Sequence, residues 1–327
     1  MSALLGIHDL RVAFQSHSGP VPAVDGVDLE VEAGECVAVV GESGSGKSQL
    51  FHAVMGVLPA GGRASGSARL RGQELLGRPA SELNRVRGAE IAMIFQDPMT
   101  SLTPHLTIGK QISEVLQRHR GLSAGAARAR ALELLERVHI GAAAQRLGQY
   151  PHELSGGMRQ RAMVAMALAC EPALLVADEP TTALDVTIQA QLLELFRELR
   201  RATKMALILI THDLGAVAGL ADRVAVMYAG RIVELAPVEE LFARPRHPYT
   251  SGLLGAIPRL DTPLERDLAA IPGQPPLHRS AAPGCAFVSR CARALARCAS
   301  DDPMLEMAAD GRRAVACHNP LAGAHCA

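Results

Sequence analysis

The sequence predicts an α/β fold organised around a buried parallel sheet, with a smaller antiparallel β part near the N-terminus and a cysteine-rich extension at the C-terminus. Three observations predict it. Short, wholly apolar runs recur along the chain. Segments with helical spacing lie between them. A glycine-rich turn joins the first of these runs to the first helix.

The runs are Cys36–Val40, Ile91–Phe95, Ala173–Ala177 and Ala206–Ile210. Each is short, rich in Val, Ile, Leu or Ala, and bounded by Gly or charge. That pattern suits strands buried on both faces, as in the middle of a parallel sheet. Helical spacing covers 47–57, 126–138, 156–169 and 189–201. The segments 7–14 and 27–31 alternate apolar and polar residues, which predicts a half-exposed antiparallel β-subdomain. From Pro237 onward Pro, Arg and Ala become frequent and then Cys, so a boundary is expected near residue 255. A core domain over 1–255 would then be followed by an extension over 256–327. No internal repeat is visible, so the chain carries one copy of its core domain.

Composition narrows the function. With 33 Lys+Arg against 33 Asp+Glu the net charge is zero, which gives no basic excess for nucleic acid. There is no Trp, with 3 Tyr and 6 Phe, too few aromatics for base-stacking platforms. The first ten residues lack a basic n-region, so no signal peptide is expected. No apolar run approaches the roughly 20 residues of a spanning helix. A soluble, cytoplasmic chain is expected, with membrane association supplied by a partner.

Gly41-Glu-Ser-Gly-Ser-Gly-Lys-Ser48 follows the run Cys36–Val40 and opens a helix. It fits the phosphate-loop pattern G-x-x-x-x-G-K-[ST] in its strand–loop–helix context. Glycines at 41, 44 and 46 let the backbone turn its N–H groups toward phosphate oxygens, with Glu42, Ser43, Ser45 and Gln49 between and after them. The helix N-terminus adds partial positive charge. Lys47 would neutralise the β- and γ-phosphates of ATP, and Ser48 would ligate Mg²⁺. A second apolar run ends in Asp178-Glu179. Asp178 would hold the Mg²⁺ shell and Glu179 would polarise the attacking water.

Further motifs identify a family. Leu154-Ser-Gly-Gly-Met-Arg-Gln-Arg161 resembles the signature of ABC-type ATPases, with Ser155, Gly156, Gly157 and Met158 at its centre. Gln96 resembles the Q-loop, Ala183-Leu-Asp185 the D-loop, and His212 the switch histidine. Phe14 is similar to the aromatic that stacks on adenine. The resemblance implies a P-loop NTPase fold of ABC type, with a RecA-like core, an antiparallel β-subdomain and a helical subdomain over about 97–170. It also implies two chains sandwiching two ATP molecules, the signature of one facing the phosphate loop of the other. Glu179, His212 and Gln96 would be catalytic, and Gln96 would also touch Mg²⁺.

Met93–Pro104, Ala177–Gln191 and Arg246-His-Pro-Tyr-Thr250 narrow the resemblance to the ATPases of dipeptide and oligopeptide importers. Nickel and glutathione importers share much of this pattern. The implied partners are a homologous ATPase or a second copy, two membrane permeases and an extracytoplasmic binding protein. The implied place is the cytoplasmic face of the cell membrane, with Met99–Thr103 docking a permease helix. A non-transport ABC ATPase is a competing reading. Its repair types carry long coiled-coil insertions before the signature. Here residues 49–153 hold no sustained heptads.

Cys285, Cys291, Cys298 and Cys317 give C-x₅-C-x₆-C-x₁₈-C. These gaps exceed the short spacings of zinc knuckles. Four thiolates on a loop-rich segment suit a [4Fe–4S] cluster, as some resembling ATPases carry. Zinc and an empty thiol site are the alternatives. His318 is a further possible zinc ligand. Cys326 is left outside the set, and 258–283 reads as an extended wrap.

Overall fold

A computed structural model describes residues 3–17, 19–97, 101–182, 185–257, 270–274, 283–309 and 311–322. Cys326, Ala183, Leu184, Met99, Thr100 and most of 258–283 lie outside the described residues. The chain divides into two compact units. One comprises Met1–Glu30, Cys36–Gly77 and Thr211–Ala327; the other comprises Val31–Glu35 and Arg78–Ile210.

In the first unit, the strand Cys36–Val40 is buried at every residue. It runs parallel to Arg223–Tyr228, with Val37 opposite Arg223 and Val40 opposite Val226. Arg223–Tyr228 turns back into Arg231–Pro237, antiparallel. These two strands carry five and five buried residues respectively, yet the sequence reading passed over them. Gly230, at φ 83°, makes the tight reversal between them. The short strand Ala314–Val315 pairs with Arg231–Pro237, and Glu306–Met307 pairs with it in turn.

A separate sheet holds Leu5–Ser16, Gly19–Val31, Gly62–Leu70 and the two-residue strand Gln73–Glu74. Leu5–Ser16 and Gly62–Leu70 are antiparallel, Leu5 opposite Leu70. The expected antiparallel β-subdomain is therefore present, with longer strands than the alternation suggested. Glycine-rich Gly62–Leu70 (GRASGSARL) gives little apolar alternation and was invisible as a strand.

Glu74 closes this sheet. Its Oε1 accepts from the N–H groups of Ala68 (2.9 Å), Leu75 (3.1 Å) and Leu76 (3.0 Å), and its Oε2 from the Ser67 hydroxyl (2.5 Å). Burial pushes this carboxyl up, but the bonds from Ser67, Ala68 and Leu76 outweigh it and hold its pKa at about 2, below the ordinary 4.5. The folded group keeps its charge where the unfolded chain takes up a proton. Its stabilisation is therefore present above pH 4.5 and lost as pH falls toward 2. Glu74→Gln is expected to cost about 1–2 kcal/mol in a neutral-pH urea melt. Repeating the melt at descending pH should shrink the difference; a constant difference contradicts the assignment.

In the second unit, Ile91–Ile94, Leu174–Asp178 and Ala206–Thr211 form a parallel array. Ile91 lies opposite Leu174, and Leu174 opposite Ala206. Leu174–Asp178 and Ala206–Thr211 are buried throughout. Backbone groups with apolar neighbours on both faces can satisfy their hydrogen bonds only in the ladder. The helix Val186–Thr203 shows the expected 3.6 period, burying Leu192, Leu195, Phe196 and Leu199 on one stripe. Burial of each such side chain contributes about 1.5–3 kcal/mol. The helices Ile108–Arg120, Ala124–Arg137 and Gly156–Ala167 start at Thr107, Ser123 and Ser155, whose hydroxyls each accept a first-turn N–H. The first of these has a strong amphipathic pattern that the sequence reading did not single out.

Candidate active site

The phosphate loop in the first unit is shaped by backbone contacts. Gly46 has φ 98°, and a Cβ there would stand 2.3 Å from the Ala23 carbonyl oxygen. A Cβ on Gly41 would stand 2.2 Å from the Met227 carbonyl oxygen. The Gly230 N–H donates to the Ser45 carbonyl (3.0 Å), and the Asp25 N–H to the Gly230 carbonyl (2.9 Å). The loop thus lies flat on the backbone of residues 23 and 227–230, and side chains at 41 or 46 would lift it.

Lys47 opens the helix Lys47–Met55 and is 5% exposed. Its Nζ donates to the carbonyls of Gly41 (2.8 Å) and Glu42 (2.9 Å). The ammonium is therefore folded back across the loop before any phosphate arrives. No side chain caps this helix, and its N-terminus carries partial positive charge. Ser43 and Gly44 are exposed, Ser45 is buried, and Ser48 and Gln49 are half-buried.

Phe14 is half-buried on Leu5–Ser16 opposite Gly62, whose added Cβ would meet the ring at 2.8 Å. His212 is exposed and follows the strand Ala206–Thr211 in the turn to the short helix Leu214–Ala218.

The second unit holds the carboxylates. Asp178 ends a buried strand and is 3% exposed. Glu179 follows in the left-handed region at φ 45°. A non-glycine residue there stores strain, and its surroundings hold it. Its N–H donates to the Ile210 carbonyl at 2.9 Å. Its Oε2 accepts from Gln96 Nε2 and from the Thr182 hydroxyl, each at 2.9 Å. The structure therefore brings the two expected residues Gln96 and Glu179 into contact across 83 positions of sequence. It adds Thr182, which the sequence reading did not single out, although Thr181-Thr182 follows Asp178-Glu179 at one turn's reach.

Ser155 caps the helix Gly156–Ala167, its Oγ accepting from the Met158 N–H at 3.3 Å. Ser155 and Gly156 are exposed, and Gly157 and Met158 are half-buried. Asp185 caps Val186–Thr203 through Ile188 N–H at 2.9 Å and is itself exposed. Each of these residues thus has a helix-starting role of its own and an accessible polar surface.

Cys285, Cys291, Cys298 and Cys317 are free thiols lining one cavity with Phe287 and His318. Among the described residues no group of three or more His, Cys, Asp or Glu side chains is set to hold a metal ion. Burial raises the pKa of Cys285 and Cys317, and the neighbouring thiols raise it further. His318 instead bonds Arg297 and the Asp301 carbonyl.

Comparison with known proteins shows the family. A family model described as "ABC transporter" matches residues 24–182, spanning both the phosphate loop and Asp178-Glu179. A second, "Oligopeptide/dipeptide transporter, C-terminal region", matches residues 233–298. The chain is 49% identical over 320 residues to the oligopeptide transport ATP-binding protein OppD of Salmonella typhimurium, covering 98% of this chain and 95% of the relative. It is 50% identical over 300 residues to the dipeptide transport ATP-binding protein DppD of Bacillus subtilis, covering 91% and 89%. Among solved structures, it is similar to the dimeric post-hydrolysis state of the ATP-binding cassette MJ0796 bound to ADP and Pi. The TM-score is 0.65 at 26% identity, covering 72% of this chain and 98% of that one. This chain belongs to the ABC transporter family, among the ATP-binding subunits of its oligopeptide/dipeptide branch.

Proposed function

We propose that this chain hydrolyses ATP to energise import of dipeptides or oligopeptides, paired with a homologous ATPase and bound to two membrane permeases. The observation that carries the chemistry is the Glu179 carboxylate, aimed by Gln96 and Thr182 beside the buried Asp178. Among the described residues no helix is long and apolar enough to cross a membrane, so membrane attachment is assigned to the permeases.

The roles follow from chemistry. The glycine-rich loop 41–49 cradles the phosphates, and Lys47 exchanges its two carbonyl partners for phosphate oxygens. Ser48, Asp178 and Gln96 offer the oxygen donors that Mg²⁺ prefers, and the ion would neutralise charge on the β- and γ-oxygens. Glu179 takes the proton of the attacking water, which Gln96 and His212 help to place. Phe14 offers a ring face to adenine. Ser155, Gly156, Gly157 and Met158, with Asp185, contact ATP held by the partner chain. Loss of the γ-phosphate would release those contacts. Residues 1–255 would carry this machinery, with a helical subdomain over about 97–170, and 256–327 the extension.

Purifying the assembled complex with its permeases and measuring peptide-stimulated ATP hydrolysis tests this reading. Stimulation by peptides supports it. Stimulation by a nickel chelate or glutathione alone would assign another solute, and no stimulation by any solute would overturn an import role.

The cysteine cavity extends the proposal to a [4Fe–4S] cluster on Cys285, Cys291, Cys298 and Cys317. Four thiols that line one cavity, with Cys285 and Cys317 raised by burial and by their neighbours, are what a cationic iron core would stabilise as thiolates. Anaerobically purified protein is expected to contain about four irons and four acid-labile sulfides per chain. Stoichiometric zinc without iron would overturn this assignment.

A further inference from the structure

The phosphate loop contains one acid, Glu42. A carboxylate beside a site for a polyanion is electrostatically unfavourable unless something neutralises it. The structure supplies Arg290, from the middle of the cysteine-bearing segment and 248 positions away in sequence. Its guanidinium grips the carboxylate with two bonds, Nη1 to Oε2 at 2.6 Å and Nη2 to Oε1 at 2.9 Å. The Arg290 side chain is 4% exposed. Its Nε donates to the Pro272 carbonyl at 2.9 Å, and its Nη1 to the Tyr228 hydroxyl at 3.3 Å. The group lies over the Tyr228 and Phe287 rings, 5.8 and 5.9 Å from their centroids.

The main chain of Glu42 is held as firmly. Its N–H donates to the hydroxyl of the fully buried Tyr249 at 2.8 Å. Its carbonyl accepts from Lys47 Nζ at 2.9 Å. Carboxylate, N–H and carbonyl are thus gripped by three different side chains. Arg290 directly precedes Cys291, and Phe287, on which it stacks, lines the cysteine cavity. A two-bonded ion pair with a buried guanidinium holds its geometry strongly, because separating it strands the desolvated cation.

We propose that Arg290 is a positioning residue for ATP binding: it neutralises and holds Glu42, and so ties the geometry of the phosphate loop to the integrity of the cysteine-bearing segment. The inference rests on the reading that residues 41–48 bind ATP.

The test is steady-state ATP hydrolysis by the full-length chain in the assembled transporter, with Mg-ATP calorimetry on the same proteins. Arg290→Met is expected to raise the KM for ATP about tenfold while kcat changes less than about threefold, because Arg290 touches no reacting atom. Removing both charges in Glu42→Gln/Arg290→Met should bring KM back to within about threefold of the parent. A merely structural role for Arg290 gives the opposite, since the double variant would then be at least as impaired as the single one. Should Arg290→Met fail to fold, Arg290→Gln against Glu42→Gln/Arg290→Gln makes the same comparison with polar side chains. A KM within about twofold of the parent in the single variant, or no recovery in the double, overturns the proposal. Failure of the parent protein itself to bind Mg-ATP would instead overturn the nucleotide reading of the loop.

Discussion

Glu179→Gln is expected to lose ATP hydrolysis by a factor of about a hundred or more while binding ATP as the parent does. The substitution is isosteric and removes only the negative charge. The amide oxygen can still accept from Gln96 Nε2 and the Thr182 hydroxyl, which now reach Oε2 at 2.9 Å each. The left-handed backbone at 179 and its bond to Ile210 do not depend on the side chain. What disappears is the group proposed to accept a proton from water as it attacks. ATP then enters and stays, so chains held together by their γ-phosphates should accumulate as pairs. Single-turnover hydrolysis, with light scattering in Mg-ATP, measures both parts. Turnover within about threefold of the parent would remove Glu179 from the role of base.

Gly46→Ala is expected to abolish measurable ATP binding, weakening it by about a hundredfold or more. Two costs combine. The residue sits at φ 98°, which an L side chain rarely adopts, and its Cβ would stand 2.3 Å from the Ala23 carbonyl oxygen. That oxygen belongs to backbone, so it cannot swing aside, and the loop must rise off its support. Gly44 is the control. It also has a positive φ, 79°, but a Cβ there meets nothing within 4 Å. Gly44→Ala should therefore show only the conformational cost of about 1 kcal/mol and retain most of its affinity. Calorimetry with Mg-ATP on both variants decides it. Equal, parent-like affinity at 44 and 46 would show that the steric contact at 46 does not shape the loop.

The legible parts of the sequence share one property: their chemistry is local. Cys36–Val40 reads as a strand because five consecutive buried residues leave no polar face. Gly41–Ser48 reads as a phosphate loop because glycine spacing and the terminal Lys-Ser act within eight residues. Ser155 and Asp185 each cap the helix that begins next to them, a role equally local to the chain. Gly62–Leu70 escaped because glycine and arginine carry no alternation, and its strand conformation comes from Leu5–Ser16 beside it. Arg223–Tyr228 and Arg231–Pro237 escaped too, although Met227 and Gly230 between them form the bed of the loop.

The cysteines mark the middle ground. Their count and clustering are plain in the sequence, and their convergence on one cavity is visible only after folding. Spacing could name candidate ligands, but it carried no information about burial. Burial is what raises the pKa of the Cys285 and Cys317 thiols.

By itself the sequence determined the α/β core, the phosphate loop, the paired acids at the end of a buried strand, and membership of the ABC family. Each is written in neighbouring residues, whose propensities and spacing act without reference to the rest of the chain. Only the tertiary structure decided that Gln96 and Thr182 aim Glu179, that Ala23 and Met227 bar side chains from the loop, and that Arg290 neutralises Glu42. Those contacts join residues remote in sequence, and they form when the core excludes water and leaves buried polar groups no partners except one another.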